Sequence, residues 1–464
     1  MLDLFFTAFC LAFLGAGLKR PFLFVLAYAY IDIVAPQKVS WGFLTHIPIS
    51  LIAFSCALLG WMVAEDKNGI RVSPRQFVLL LLLVYCGLTT RTADFPVEAA
   101  AKWSWVWKAL VFALFLPLTL RTRLRIEAAS LFMVLSAASI IITGGIKTAV
   151  SGGGYGALRF FVQDNTGLYE GSIISCVAVA IIPLILWLAR YGTIYPRGPL
   201  VRLFAMALIF ACLLIPVGTQ ARTGLLCIGL LGVLTLRTVR HRFLYVGGAA
   251  VLALAAVPFL PESFTKRMDT IGNHQADQSA STRLAVWAWT WDYVKDHPLG
   301  GGFDAYRSNR LVIETRSAET SGSTTDIETS TVTDQARAYH SSYFEMLGEQ
   351  GWPGLLLWLW LHLSGLWQME RLRSRWRKRA LAETAAGGDG GASQWQAPLA
   401  SALQQAQLVY LLGAGFVGIA FQPFILMLIG LQCGLWSYLK RIDRPAERVR
   451  RGRQPMRVAN AAAG

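Results

Sequence analysis

The sequence is poor in charge. Asp, Glu, Lys and Arg make up only 15% of its 464 residues, against about 25% in an ordinary soluble domain, so a water-soluble globule is a poor fit. The signatures of nucleotide chemistry are missing too. There is no GxxxxGK[ST] run, no Gly-rich loop joins a strand to a helix, and "SGGGYG" at 151–156 falls in a loop between apolar runs. None of the seven cysteines (Cys10, Cys56, Cys86, Cys176, Cys212, Cys227, Cys433) is spaced as CxxC, and no His stands near them at zinc-finger spacing. Disulfide framework and structural zinc are both disfavoured. Acids are nearly missing from the apolar stretches, Asp32 being the clearest case. A proton-coupled carrier usually places several ionisable groups in its helices.

What the chain has is hydrophobic length. Apolar residues make up 55% of it, with 16 Trp, and runs of about 20 apolar residues recur throughout, the mark of a polytopic membrane protein. Candidate spans fall at roughly 2–18, 21–36, 47–64, 76–90, 104–120, 127–146, 171–189, 200–217, 223–236, 243–260, 352–368, 403–421 and 423–439. The first lacks a basic leader, and "KRP" follows where a cleavage site would lie, so it reads as retained. The net charge of +16 does not call for nucleic acid, because basic residues hold cytoplasmic loops on their side of a membrane. Alternate loops, among them "RTRLR", "RLRSRWRKR" and the tail "RVRRGRQPMR", carry about two thirds of the 43 Lys and Arg. That bias places the N-terminus outside, the C-terminus inside and the long loop at 261–351 outside. The expected fold is an all-α polytopic integral membrane protein of about 12–13 transmembrane helices. Twelve applies if the first two spans form a shallow hairpin.

The long loop is the one sizeable soluble piece. It contains "STRLAVWAWTWDYVKDHPLGGGFDAYR" and then "ETRSAETSGSTTDIETSTVTDQAR", which has little to bury and reads as mobile or disordered. "ETAAGGDGGASQWQAP" reads as a flexible cytoplasmic linker.

Unusual charges gather on the outer side. Arg222, in "PVGTQARTGLL", opens a short span there; on position alone, a guanidinium snorkelling to lipid phosphate explains it as well. Arg283 follows "SAS" at a helix start with Ser281 as N-cap, where free N–H groups beside the cation would suit a phosphate. The plain alternative is an exposed Arg on an interfacial helix whose Leu284, Trp287, Trp291 and Val294 lie on the membrane surface. His340 leads the helical stretch "HSSYFEMLGEQGWPG", with Gly351 as its stop and Pro353 early in the next span. Alone, such a His is an ordinary surface or packing residue. Two arginines and a histidine at one face make a different set. Guanidinium groups hold diphosphate bidentately, and a neutral imidazole accepts a hydroxyl proton near pH 7. That set suits transfer from a lipid diphosphate to an alcohol, and it needs no metal or cofactor.

These residues resemble the O-antigen ligase and polymerase superfamily of bacterial envelope glycosyltransferases. "HSSYFEMLGEQGWPG" follows the family pattern of His, a small polar residue, nine residues, Gly, two residues and Gly, met by His340, Ser341, Gly351 and Gly354. "HPLGGGFDAY" is similar to the family's Gly-rich segment, and "TQARTG" to its short Arg motif before the large loop; together the likeness covers about 215–365. The segment "LKRPFLFVLAYAYIDIVAPQKVSWGF" resembles an extra domain of O-glycosylation ligases associated with exosortase systems.

The resemblance implies an inner (cytoplasmic) membrane enzyme with a periplasmic site and an undecaprenyl-diphosphate-linked glycan donor. Transfer would be metal-independent and inverting, to a lipid, polysaccharide or protein acceptor. Arg222 and Arg283 would hold the diphosphate, His340 would orient or deprotonate the acceptor, and Ser341 and Gly351 would lie against substrate. The chain then divides into N-terminal membrane helices (1–150), core membrane helices (151–260), a periplasmic loop (261–351), C-terminal membrane helices (352–440) and a basic tail (441–464). Ligase is the first reading. A polymerase shares these motifs, and a lipid-linked glycan flippase or other transporter is the alternative from another class. The acceptor, the glycan, the oligomeric state and the role of the Ser/Thr-rich insertion stay open.

Overall fold

The computed structural model describes residues 2–151, 167–236, 278–321, 324–387 and 393–452, with isolated positions between 241 and 251. The expected span at 243–260, the opening of the long loop and the end of the basic tail lie outside the described residues. The chain order is α1 (Leu2–Lys19), α2 (Phe22–Val34), the short α3 (Pro36–Val39), α4 (Ile49–Ala64), α5 (Pro74–Arg91), α6 (Pro96–Thr119), α7 (Arg123–Ser151), α8 (Gly171–Tyr191), α9 (Pro199–Gly218) and α10 (Arg222–Leu236). Then follow α11 (Gln278–Asp296), β1 (Arg310–Ser321), β2 (Thr324–Gln335), α12 (Ser342–Ala385), α13 (Gln396–Ala414) and α14 (Pro423–Gly452).

Among the described residues, six helical segments are long and apolar enough to cross a membrane: Phe22–Val39, Pro96–Thr119, Arg123–Ser151, Gly171–Tyr191, Pro199–Gly218 and Pro423–Asp443. The chain is an all-α, multi-pass membrane protein. Helix starts follow local chemistry. Ser73 and Gln76 form a reciprocal capping box ahead of α5, with Pro74 in its first turn, so two otherwise orphaned N–H groups are satisfied.

Helix α8 runs through the centre, buried over most of its length, and packs against α9, α10 and α13, while α14 packs on α6 and α12 on α5 and α13. A buried polar chain crosses this interior. Arg75 donates to Gln432 Oε1 (2.8 Å) and to the Leu361 carbonyl (3.2 Å). Gln432 donates to Gln407 Oε1 (2.9 Å), and Gln407 donates to the His362 carbonyl (3.1 Å). Four helices, α5, α12, α13 and α14, are thereby joined where no water competes for the bonds.

Three departures from the sequence reading shape the site. The Ser/Thr-rich insertion is an antiparallel hairpin rather than a disordered stretch, pairing Arg310 with Gln335 through Ser321 with Thr324. Its run of Thr, Val and Ile carries the β-branched preference for extended backbone, although it lacks a core-forming face. The apolar run expected to span 403–421 starts earlier and stops at Ala414; residues 415–422 are irregular. Hydropathy cannot register this break, because the segment is as apolar as a helix. Finally, α12 is broken at Gly351 (φ 61°, ψ −166°), a conformation open essentially to Gly alone. The break agrees with Gly351 as a helix stop.

Candidate functional site

His340 lines a cavity of about 530 Å³. The walls come from distant parts of the chain: Glu98, Lys102 and Trp105 from α6, Glu170 and Ser172 at the start of α8, Arg283 from α11, and residues 416–419, 421 and 422 from the irregular segment. Asp304, Tyr306, Arg307, Glu345 and Glu349 complete it.

The segment bearing His340 is fixed from both sides. Buried Asn309 donates through Nδ2 to the Arg337 carbonyl (2.7 Å) and accepts from Arg337 N (3.0 Å), closing the base of the hairpin. Trp287 Nε1 donates to the Tyr339 carbonyl (2.8 Å) while its ring stacks on Phe344. Between these anchors His340 adopts φ 48°, a left-handed conformation that costs a non-Gly residue about 1–2 kcal/mol. Strain of this kind persists only where its surroundings impose it.

The helix after His340 is stitched to the irregular segment. Ser342 donates to the Val417 carbonyl (2.9 Å) and accepts from Ile419 N (2.8 Å), and Glu345 Oε2 accepts from Ala420 N (3.2 Å). Irregular backbone inside a membrane protein survives where protein groups satisfy it, and it there lines a cavity. At the far end of this helix the Gly-rich loop supplies the cap. Gly301 N donates to the Gly348 carbonyl (3.0 Å) and Gly302 N to the Glu349 carbonyl (2.9 Å). The close approach leaves no room for a side chain: a Cβ at Gly300 would lie 2.5 Å from the Glu349 carbonyl oxygen.

Part of the lining is charged. Lys102 Nζ donates to Glu345 Oε1 (2.7 Å) and to both oxygens of Glu349 (2.8 and 2.9 Å), committing all three ammonium hydrogens. Asp304 N donates to Glu349 Oε1 (3.0 Å). Arg307 approaches Glu98 (3.7 Å) and Asp304 (3.9 Å) more loosely. Burial lowers the pKa of His340 below the ordinary imidazole value; the Arg283 cation lowers it further, Glu170 opposes, and Arg337 adds a smaller push downward. The imidazole is thus neutral near pH 7 and can accept a proton. Burial raises the pKa of Asp304 against the pull of Lys102 and Arg307.

The residues singled out in the sequence separate here. His340 and Arg283 line the same cavity. Helix α11 begins at Gln278, ahead of Ser281, so Arg283 sits beyond the first turn and reaches the cavity with its side chain rather than beside free helix N–H groups. The face expected to lie flat on the membrane is divided: Leu284 and Trp291 are exposed, Trp287 is half-buried, and Val294 is buried. Arg222 opens α10, half-buried and outside the cavity lining. Ser341 is buried with an extended backbone. Gly351 packs against the backbone of residues 298–300. Neither Ser341 nor Gly351 lines the cavity. Among the described residues, no group of three or more His, Cys, Asp or Glu is placed to hold a metal ion.

Residues 206–359 match the O-antigen ligase family model. That stretch carries Arg222, Arg283 and His340, and the match supports the O-antigen ligase superfamily and a glycosyltransferase-like enzyme of the glycan ligase or polymerase type. Residues 1–193 match a family of unknown function (DUF5935). No curated protein matches the chain.

Sequence reasoning missed the Lys102 cluster and the 415–422 wall. A signal existed for the first: Glu345 and Glu349 are four apart in a helix with Met346 and Leu347 between them, and Lys102 lies within "AAAKWSWVWKALVF". Ionisable groups in such company have a partner. The expected span at 104–120 left Lys102 outside a helix that in fact begins at Pro96.

Proposed function

We propose that the chain is a glycan ligase that moves a preassembled oligosaccharide from undecaprenyl diphosphate to an acceptor hydroxyl on the periplasmic side of a bacterial inner membrane. The observation that carries this reading is the meeting of His340 and Arg283 in one cavity, within the stretch that matches the O-antigen ligase family. In the reaction, the acceptor oxygen forms a bond to the anomeric carbon as the bond from that carbon to phosphate oxygen breaks, with inversion. The acceptor proton passes to neutral His340, and the departing lipid diphosphate keeps the electron pair. Arg283 in the cavity lining, together with Arg222, would hold the diphosphate, so that guanidinium charge meets the developing negative charge. The periplasmic placement rests on the loop charge bias, and the exosortase-associated subtype on the N-terminal resemblance.

The deciding experiment compares glycans from a strain lacking the gene, complemented with wild type or with His340→Ala, separating lipid-linked from transferred chains. His340→Ala should lower transfer at least about 100-fold while inserting normally in the membrane. Normal transfer by this variant overturns the reading. Full-length chains stranded on the lipid mark a ligase; single repeat units in place of long chains mark a polymerase.

A further inference from the structure

Among the residues that the region matching the family of unknown function contributes to the cavity lining, Lys102 is one that the proposed chemistry does not use. Lys102 stands on α6, inside the 1–193 match, and its three hydrogen bonds all go to carboxylates of the helix that follows His340. The side chains of Glu345 and Glu349 are almost wholly buried, and that of Lys102 is largely so. Each carboxylate is also tied to a different wall. Glu345 holds the irregular segment through Ala420 N, and Glu349 holds the Gly-rich loop through Asp304 N. Two buried carboxylates one helical turn apart repel one another unless a cation lies between them. Within this cluster Lys102 supplies that cation, and with its ammonium hydrogens committed it has none left for substrate.

We infer that Lys102 is a positioning residue for glycan transfer: through it, the N-terminal region fixes the helix that follows His340 and the two loops that close the cavity. The inference rests on the proposed function and deepens it, because it gives the N-terminal region a role within the site rather than an accessory one. Lys102 acts through Glu345 and Glu349. Its loss should therefore slow the chemical step without weakening donor binding.

The test uses full-length protein in detergent or nanodiscs with a lipid-diphosphate-linked glycan donor, measuring kcat and KM for Lys102→Met, Lys102→Arg and Lys102→Met with Glu349→Gln. Lys102→Met should lower kcat by roughly 100-fold, the scale of about 1 Å of misplacement, and leave the donor KM within about threefold. Removing the uncompensated charge with Glu349→Gln should restore roughly tenfold of that loss. A kcat for Lys102→Met within about threefold of wild type overturns the inference. So does a raised KM at unchanged kcat, the mark of direct substrate contact, or a folded double variant no better than the single. If Lys102→Met fails to accumulate, the double variant decides: activity well above that of His340→Ala supports the role, and inactivity in a folded protein overturns it. His340→Ala, measured in parallel, separates the two claims. Transfer by His340→Ala removes the proposed function, whereas wild-type transfer by Lys102→Met beside an inactive His340→Ala removes only this inference.

Discussion

His340 is held in a left-handed conformation directly after the anchored carbonyls of Arg337 and Tyr339, and its neighbours set its proton affinity. Its pKa lies below the ordinary imidazole value because burial and the Arg283 cation both disfavour imidazolium, against Glu170. The sign follows directly. In the proposed reaction neutral His340 is the base, so transfer should hold across neutral pH and fall only as pH drops through the lowered pKa. Arg283→Gln removes a cation that lowers the pKa of the ring and should move the acid limb of the kcat/KM profile to higher pH, apart from any loss of donor affinity. A profile that stays in place would mean that Arg283 does not tune His340. In the sequence, His340 and Arg283 were visible as unusual polar residues at one face. Their proximity was not, since a loop and a hairpin separate them in the chain.

At the scale of elements, the broken helix governs the site. Gly351 sits at φ 61°, and a Cβ there would lie 2.3 Å from the Pro298 carbonyl oxygen and 2.5 Å from Gly300 N. Gly351→Ala should cost at least about 1–3 kcal/mol from backbone strain alone and loosen the Gly-rich loop carrying Asp304. Unfolding in detergent should begin at lower temperature and transfer should fall; an unchanged midpoint would count against the strained geometry. The hairpin should behave oppositely. Thr315 faces Ser330 across the ladder, so joining these two positions by a short turn keeps the base closed by Asn309 and buried Leu311. The shortened protein should keep its unfolding midpoint, and a large loss of stability would show that the hairpin supports the membrane core. Helix positions were legible from hydropathy because burial in lipid or in the core demands long apolar runs. The end of α13 at Ala414 was not, because residues 415–422 are apolar as well and are released from the helix by Ser342 and Glu345.

Across the whole molecule, polar residues in the apolar interior join two regions, the N-terminal one that matches the family of unknown function and the C-terminal helices beyond residue 359. Arg75, from the N-terminal one, is buried among α12 and α14, and a Cβ on Gly365 would lie 2.3 Å from its Nη2. Arg75→Leu leaves Gln432 and the Leu361 carbonyl without this donor and should cost about 1.5–3 kcal/mol per charged hydrogen bond lost. Gly365→Val should act similarly by displacing the guanidinium. Thermal unfolding of both variants checks this, and wild-type midpoints would show that the buried network is not a structural tie.

The sequence alone determined that this is an all-α polytopic membrane protein, because a bilayer forces apolar length onto every span. It also marked His340, Arg222 and Arg283, since charge outside water stands out against 55% apolar composition. Only the tertiary structure decided which of them meet. It brought His340 and Arg283 to one cavity and left Arg222, Ser341 and Gly351 outside its lining. It also brought Lys102 to Glu345 and Glu349 across more than half the chain. A buried charge must find its opposite, but composition does not say where in the fold that partner will be.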